Sequence, residues 1–264
     1  MSAPFRDVGP DLATAEIEVV GRIQPASNLA LLVRVGADGP HAIYKPVSGE
    51  RELWDFPDGT LAAREVAAYE ISRAAGFDLV PQTVLRDGPM GPGSVQRWVG
   101  DPRQPLESVV DLVRVGAVEA GWLTAFEGED MAGRPVAVVH RDTAPVRSMA
   151  TLDAVLNNAD RKGGHLALAP GGGLWGFDHG LTGHAEPKLR TVLWGWAGQR
   201  LAAVDVARLE ALDASLTGDL AAVLESLLTR REIGALRGRV AELLHSGRHP
   251  EHPTHRYGIP WPPL

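Results

Sequence analysis

The stretch Asn157-Asn158-Ala159-Asp160-Arg161-Lys162-Gly163-Gly164-His165 is the most specific feature of the sequence, and Phe177-Asp178-His179-Gly180 follows it. Apolar residues at helical spacing precede the first stretch, and two short apolar runs that predict a hairpin separate it from the second. Both stretches are therefore loops, in which carboxylates can share one metal–phosphate site. Phosphoryl transfer needs an aspartate that orients the acceptor hydroxyl, a cation for the moving charge and ligands for magnesium. The candidates for these roles are Asp160, Lys162, His165 and Asp178.

These two stretches resemble motifs of the phosphoinositide-3/4-kinase-like superfamily, and specifically of an actinobacterial family related to those kinases. Residues 160–165 are similar to the Asp-Arg-His-x-x-Asn catalytic loop, with His165 in place of the asparagine. Residues 177–180 are similar to the metal-binding Asp-Phe-Gly turn. The resemblance implies a two-lobed, protein-kinase-like α+β fold, in which Asp160 and Lys162 are catalytic while Asp178 and His165 bind metal.

The resemblance extends upstream over most of the chain. Ile43-Tyr44-Lys45-Pro46 looks like the nucleotide-binding lysine strand, and residues 64–69 look like its partner helix. By this resemblance Lys45 contacts the α- and β-phosphates and pairs with Glu65. Glu70 lies about 140° around the helix from Glu65, so only one of the two glutamates is expected to face Lys45.

The remaining nucleotide contacts have weaker signals in the sequence. No glycine-rich phosphate loop is present, and Gly21 stands alone on its strand. Ser27 and Asn28, in a short polar turn, are the candidates to cover the phosphates through their backbone N–H groups and side chains. Gln96 and Trp98 lie where the resemblance expects the hinge between the lobes.

The hydropathy pattern divides the chain into a strand-rich N-lobe, residues 1–100, and a mostly helical C-lobe, residues 101–264. Thr60 is the predicted N-cap of the one N-lobe helix, and Gly76 is its predicted stop. The predicted strands are 16–23, 29–35, 41–45, 80–85 and 94–99, with a C-lobe hairpin at 166–168 and 174–177. The predicted helices are 61–75, 106–122, 146–158, 204–228 and 231–245.

Composition excludes several classes of protein. A net charge of -7 without a Lys/Arg-rich block argues against a nucleic-acid partner. The absence of cysteine excludes disulfides and thiolate metal sites. No apolar run reaches the roughly 18 residues needed to span a bilayer, and residues 1–10 lack a signal pattern, so we expect a cytoplasmic protein without integral membrane association. The sequence has only three lysines, and its other basic residues are arginines. Two of the three lysines, Lys45 and Lys162, fall within the motifs, where a compact ammonium group is expected to be needed.

The leading hypothesis is an ATP-dependent phosphotransferase that uses Mg²⁺ and acts on an unidentified hydroxyl acceptor, whether small molecule, lipid or protein. One alternative is adenylyl transfer on the same fold, with the nucleotide reversed. Another is a non-catalytic nucleotide-binding pseudokinase or scaffold, which His165 and the missing glycine-rich loop favour. If His165 is a ligand, Mn²⁺ should support activity better than Mg²⁺, and activity should fall near the ordinary histidine pKa of about 6.5. Lys45→Met is expected to weaken ATP binding and leave the fold nearly intact.

Overall fold

The computed structural model describes residues 11–24, 28–253 and 258–264. Its first part is an antiparallel sheet of five strands in the order β1-β2-β3-β5-β4. The strands are β1 (Ile17–Arg22), β2 (Leu31–Val35), β3 (His41–Pro46), β4 (Thr83–Gly88) and β5 (Gly91–Arg97). One α-helix, α1 (Leu61–Ala74), lies between β3 and β4 in the chain. The five predicted strands and the single α-helix of this part are thus confirmed, although β4 and β5 differ from the predicted 80–85 and 94–99 by two or three residues at their ends.

The two faces of this sheet have different roles. Since side chains alternate along a strand, Ala42 and Tyr44 of β3 point to one face and pack with Leu12, Val33 and Val95 in a small apolar core. Lys45 points to the opposite face, where α1 lies, and it is paired across the ladder with Ser94 of β5. The pleat therefore directs the lysine towards the helix and away from the small core.

Helix α1 is fixed at both ends. The Thr60 side chain accepts a hydrogen bond from Ala63 N at 3.1 Å, as expected of an N-cap. The Glu50 carboxylate accepts hydrogen bonds from two further free N–H groups, those of Leu61 and Ala62. Gly76 follows the helix at φ 72°, a conformation that favours glycine. These contacts fix where α1 begins and ends.

The second part contains a three-stranded sheet, a short hairpin and four α-helices within the described residues. Its strands are β6 (Val110–Arg114), β7 (Trp122–Glu129) and β8 (Pro135–Arg141), then β9 (Leu166–Leu168) and β10 (Leu174–Gly176). Its helices are α2 (Ala144–Leu156), α3 (Ala203–Ser215), α4 (Asp219–Glu225) and α5 (Arg230–Ser246). The main apolar core lies between α1, α2, α3 and α5, and Met149 and Leu152 of α2 are fully buried in it. None of the helices in the described ranges is long and apolar enough to cross a membrane.

Two of the predicted helices are wrong. Residues 106–122 contain β6 and the start of β7, which belong to a sheet in the order β6-β8-β7. This segment is rich in valine, whose branched side chain fits a pleated surface better than a helix, and a run of apolar residues fits both periods. The predicted helix 204–228 is two helices, because Gly218 has the non-helical angles φ -118° and ψ -138°.

Buried His140, on β8, makes the stability of the fold sensitive to acid. Its Nε2 accepts a hydrogen bond from Gly195 N at 3.0 Å, and its Nδ1 lies 3.2 Å from Arg141 O, so the ring is neutral. Burial lowers the pKa of His140 to about 4. Because the unfolded chain protonates near pH 6.5, stability is lost as pH falls from about 6.5 to 4, by up to about 1.4 kcal/mol per pH unit for this residue.

We expect His140→Gln to lower the number of protons taken up on unfolding between pH 7 and 5 by about one. The unfolding free energy should then depend less on pH. Urea titrations at pH 7, 6 and 5 measure this slope. The matched control is His245→Gln, which alters an exposed histidine at the end of α5 and should leave the slope unchanged. A wild-type slope in His140→Gln would contradict the assignment of a neutral, acid-sensitive ring.

Candidate active site

Lys45 joins the sheet to the rest of the candidate site. Its Nζ donates a hydrogen bond to Glu65 Oε1 of α1 and another, 2.8 Å long, to Asp178 Oδ1. Burial favours the neutral amine, but the two carboxylates outweigh it and raise the pKa of Lys45 above its ordinary value. Lys45 is therefore a permanent cation held between one buried and one open carboxylate.

Of the two glutamates on α1, Glu65 pairs with Lys45, as the family resemblance implied. Glu65 is buried, and its second oxygen, Oε2, accepts a hydrogen bond from His179 N at 2.9 Å. Glu70 points elsewhere and accepts hydrogen bonds from Arg73. Glu65 thus ties α1 both to the lysine strand and to the turn that contains Asp178.

Asp178 is the open carboxylate of the site. Its backbone has φ 54°, in the left-handed region, and its side chain is 52% exposed. The Lys45 ammonium is the main cause that holds the pKa of Asp178 below its ordinary value. Oδ1 is occupied by Lys45, whereas Oδ2 lies 3.4 Å from His165 Nε2. The second oxygen is therefore the one free for a cation.

His165 is neutral at ordinary pH. Burial lowers its pKa to about 4, so the expected inflection near pH 6.5 is not supported by its surroundings. No three His, Asp or Glu side chains in the described residues form a complete metal site. Magnesium, however, takes only one or two carboxylates from a protein when substrate phosphates supply other ligands. The free Asp178 oxygen and the neutral imidazole fit that partial set.

Asp160 and Lys162 form the second half of the site. Helix α2 ends at Asn157, which has φ 51°, and the loop then turns back so that Asp160 N donates to Asn158 Oδ1 at 3.0 Å. Lys162 Nζ lies 3.1 Å from Asp160 Oδ2. Burial raises the pKa of Asp160, although Lys162 opposes this effect, and the charge of Asp178 raises it further. Asp160 is thereby a better proton acceptor than an exposed aspartate.

Arg161 is the most connected residue of the loop, and sequence reasoning gave it no role. Its guanidinium donates to both oxygens of Asp153 on α2, to Phe177 O at 2.9 Å and to His179 Nε2 at 2.7 Å. Arg161 and Asp153 have fully buried side chains. The arginine therefore connects the Asp160 loop with the Asp178 turn. A buried aspartate within an apolar helix needs such a partner, and this was the signal in the sequence.

Within the described residues, Asn28, Gln96 and Trp98 make no direct hydrogen bond to this cluster. Gln96 Nε2 donates to Thr83 Oγ1 at 2.9 Å, and Trp98 N donates to His41 O at 3.0 Å. Asn28 Oδ1 accepts a hydrogen bond from Arg51 N at 3.0 Å, which leaves its amide nitrogen for other contacts. Ser27 lies outside the described residues.

Solved structures with the same arrangement of elements define the class of fold. A Fam20 protein of hydra, solved with sugar, has a TM-score of 0.55 at 14% identity, over 89% of this chain and 85% of that one. A Golgi casein kinase has a TM-score of 0.52 at 15% identity, over 89% of this chain and 72% of that one. The protein thus has the two-lobed α+β fold of the protein-kinase-like class, as the sequence predicted.

The sequence itself is similar to a curated protein over most of its length. Protein Rv2133c of Mycobacterium tuberculosis is 45% identical over 260 residues, which cover 95% of this chain and 93% of the relative. The chain belongs to the same family as Rv2133c. No known protein-family profile matches the chain.

Proposed function

We propose that this protein is an ATP-dependent phosphotransferase that moves the γ-phosphoryl group of ATP to a hydroxyl group. In the proposed step the acceptor oxygen attacks the γ-phosphorus and its proton passes to Asp160. The bond between the γ-phosphorus and the β,γ-bridging oxygen breaks, and ADP leaves. The observation that carries the proposal is the cation Lys45, held between buried Glu65 and open Asp178, whose charge also acts on Asp160.

Each residue of the cluster has a distinct part in this step. Lys45, fixed by two carboxylates, binds the α- and β-phosphates as a point charge. Asp160 orients the acceptor hydroxyl and accepts its proton, a task for which its raised pKa suits it. Lys162, beside Asp160, stabilises the charge on the phosphoryl group during transfer.

Magnesium, when bound, neutralises phosphate charge at such a site. Asp178 would hold it through the oxygen that Lys45 leaves free, and His165 would assist through an imidazole nitrogen. We also infer a closer relation to the phosphoinositide-3/4-kinase-like branch and its actinobacterial family, supported by residues 160–165 and 177–180. In this proposal residues 1–100 cover the nucleotide, and residues 101–264 carry the catalytic loop.

Labelled ATP separates phosphoryl transfer from its rivals. With Mg²⁺ present, label from the γ-phosphate should appear in inorganic phosphate or acceptor, whereas α-label should remain in ADP. Transfer of α-label would instead identify adenylyl transfer. Tight ATP binding with no release of either label, to water or to any hydroxyl compound, would identify a nucleotide-binding scaffold.

Lys45→Met tests the nucleotide site directly. Loss of a charged hydrogen-bond donor is expected to weaken ATP binding by roughly 10–100-fold. In place of a nearly intact fold we now expect a loss of stability, because the variant leaves Glu65 buried without its cation, at a cost of about 3 kcal/mol.

Lys45→Met/Glu65→Gln is the control for that loss of stability, because it removes both charges of the pair. Isothermal titration with Mg·ATP and urea unfolding, applied to both variants, measure binding and stability separately. Wild-type affinity for ATP in the double variant would remove Lys45 from the nucleotide site.

A further inference from the structure

Arg190 is fixed directly beside the Asp160 loop. Its backbone N donates to Asn158 O at 2.8 Å, and its backbone O accepts from Arg161 N at 3.0 Å. Thr191, the next residue, is the parallel bridge partner of Arg161. Asp160 and Arg190 are the residues just before this bridged pair. They therefore lie opposite each other on two short extended segments.

The side chain of Arg190 lies on the same side of these segments as Asp160. Successive side chains of extended backbone point to opposite faces. Arg161 and Thr191 are buried and point into the core, so the residue before each of them points the other way. Asp160 and Arg190 are both half-buried, and the charge of Arg190 acts on the Asp160 carboxylate. Arg190 thus faces the open side of the loop, where the acceptor must approach Asp160.

Arg190 differs from the other cations of the site because it has no carboxylate of its own. Lys45 is bonded to Glu65 and Asp178, and Lys162 pairs with Asp160. Within residues 11–24, 28–253 and 258–264, the Arg190 guanidinium makes no hydrogen bond or ion pair. A half-buried guanidinium in a protein of net charge -7 usually finds a partner. The planar guanidinium has N–H donors available in a geometry that matches the oxygens of a carboxylate or a phosphate.

We propose that Arg190 binds an anionic group of the acceptor, and that the acceptor is a small hydroxyl compound carrying a carboxylate or a phosphate. The inference rests on the proposed function, since it assumes that Asp160 receives the acceptor hydroxyl. Neighbouring extended segments lie about 4.8 Å apart, so a hydroxyl and an anion a few bonds apart in one molecule reach both side chains. Lys162 lies beside Asp160 and keeps its proposed role of stabilising the phosphoryl group in transfer, so Arg190 is the cation left for the anionic group of the acceptor.

The test compares anionic and neutral probes of one size. sn-Glycerol 3-phosphate and D-glycerate are titrated against glycerol, by isothermal calorimetry, with Mg²⁺ and a non-hydrolysable ATP analogue present. The wild type should bind one of the anionic probes about 10–100-fold more tightly than glycerol, because a charged hydrogen-bond pair is gained. Preference for glycerate or for glycerol 3-phosphate distinguishes a carboxylate from a phosphate acceptor.

Variants assign that preference to Arg190. Arg190→Ala should abolish it while leaving the affinity for the ATP analogue unchanged, and Arg190→Lys should restore part of it. Arg103→Ala removes the same charge at an 87% exposed side chain, and this variant should keep the preference for the anionic probe. Equal affinity of wild type and Arg190→Ala for the anionic probes, or no wild-type preference over glycerol, would overturn the inference. Titration of the ATP analogue alone separates the two proposals: absent binding of the analogue refutes the phosphotransferase, whereas normal binding of the analogue with no anion preference refutes only the role of Arg190.

Discussion

Asp160→Asn is expected to lower the rate of phosphoryl transfer by about 10²–10⁴-fold while Mg·ATP binds as in the wild type. The amide cannot accept the acceptor proton. The loop keeps its shape, because its hydrogen bond to Asn158 comes from the backbone N of residue 160. With water as the acceptor, release of γ-labelled phosphate from ATP measures the rate, and isothermal titration measures the affinity.

Asp178→Asn should fail in a different way, because Asp178 provides the oxygen proposed for the metal. Its amide can still accept the hydrogen bond from Lys45, and the half-exposed side chain contributes little to the fold. The variant should therefore bind nucleotide with an affinity that no longer depends on Mg²⁺. Asp213→Asn, at an exposed aspartate of α3, is the matched control and should change neither property. Identical binding defects in the Asp160 and Asp178 variants would mean that the two roles are wrongly assigned.

The parts of the site that sequence reasoning predicted are those with short-range signals. The family resemblance implied the pairing of Lys45 with Glu65, and helical spacing added that Glu65 and Glu70 cannot both face the lysine. The helix, the loop and the hairpin around residues 157–177 also have local start and stop signals. The structure joins these pieces through Lys45, which contacts both Glu65 and Asp178.

The parts that were missed depend on contacts distant in sequence. Residues 106–122 have apolar residues at helical spacing, and their strand structure follows from pairing with β8, which the local pattern does not contain. Arg190 follows the Asp178 turn as an ordinary basic residue, and only the bridge between Arg161 and Thr191 brings it beside Asp160. The turn at Ser27 remains a prediction, because it lies outside the described residues.

Arg161→Met is expected to destabilise the protein by about 3–5 kcal/mol, the largest effect on stability that we predict. Asp153 and Arg161 are both 0% exposed, so the variant leaves a carboxylate in the core whose remaining donor, among the described residues, is Asn158 Nδ2 at 2.9 Å. Urea unfolding measures the loss. The matched control is Arg73→Met, whose surface pair with Glu70 should contribute at most about 1 kcal/mol.

Asp153→Leu/Arg161→Met then separates the stability of the pair from its work in the site. Removing both charges should recover much of the lost stability, because an apolar pair of similar size does not have to be desolvated. Phosphoryl transfer should stay low, since no guanidinium would bridge the Asp160 loop to Phe177 O and His179 Nε2. Low activity in a stable double variant would thus identify Arg161 as a positioning residue. Wild-type activity in that variant would show instead that the buried pair serves the fold alone, and that the loop and the turn find their geometry without it.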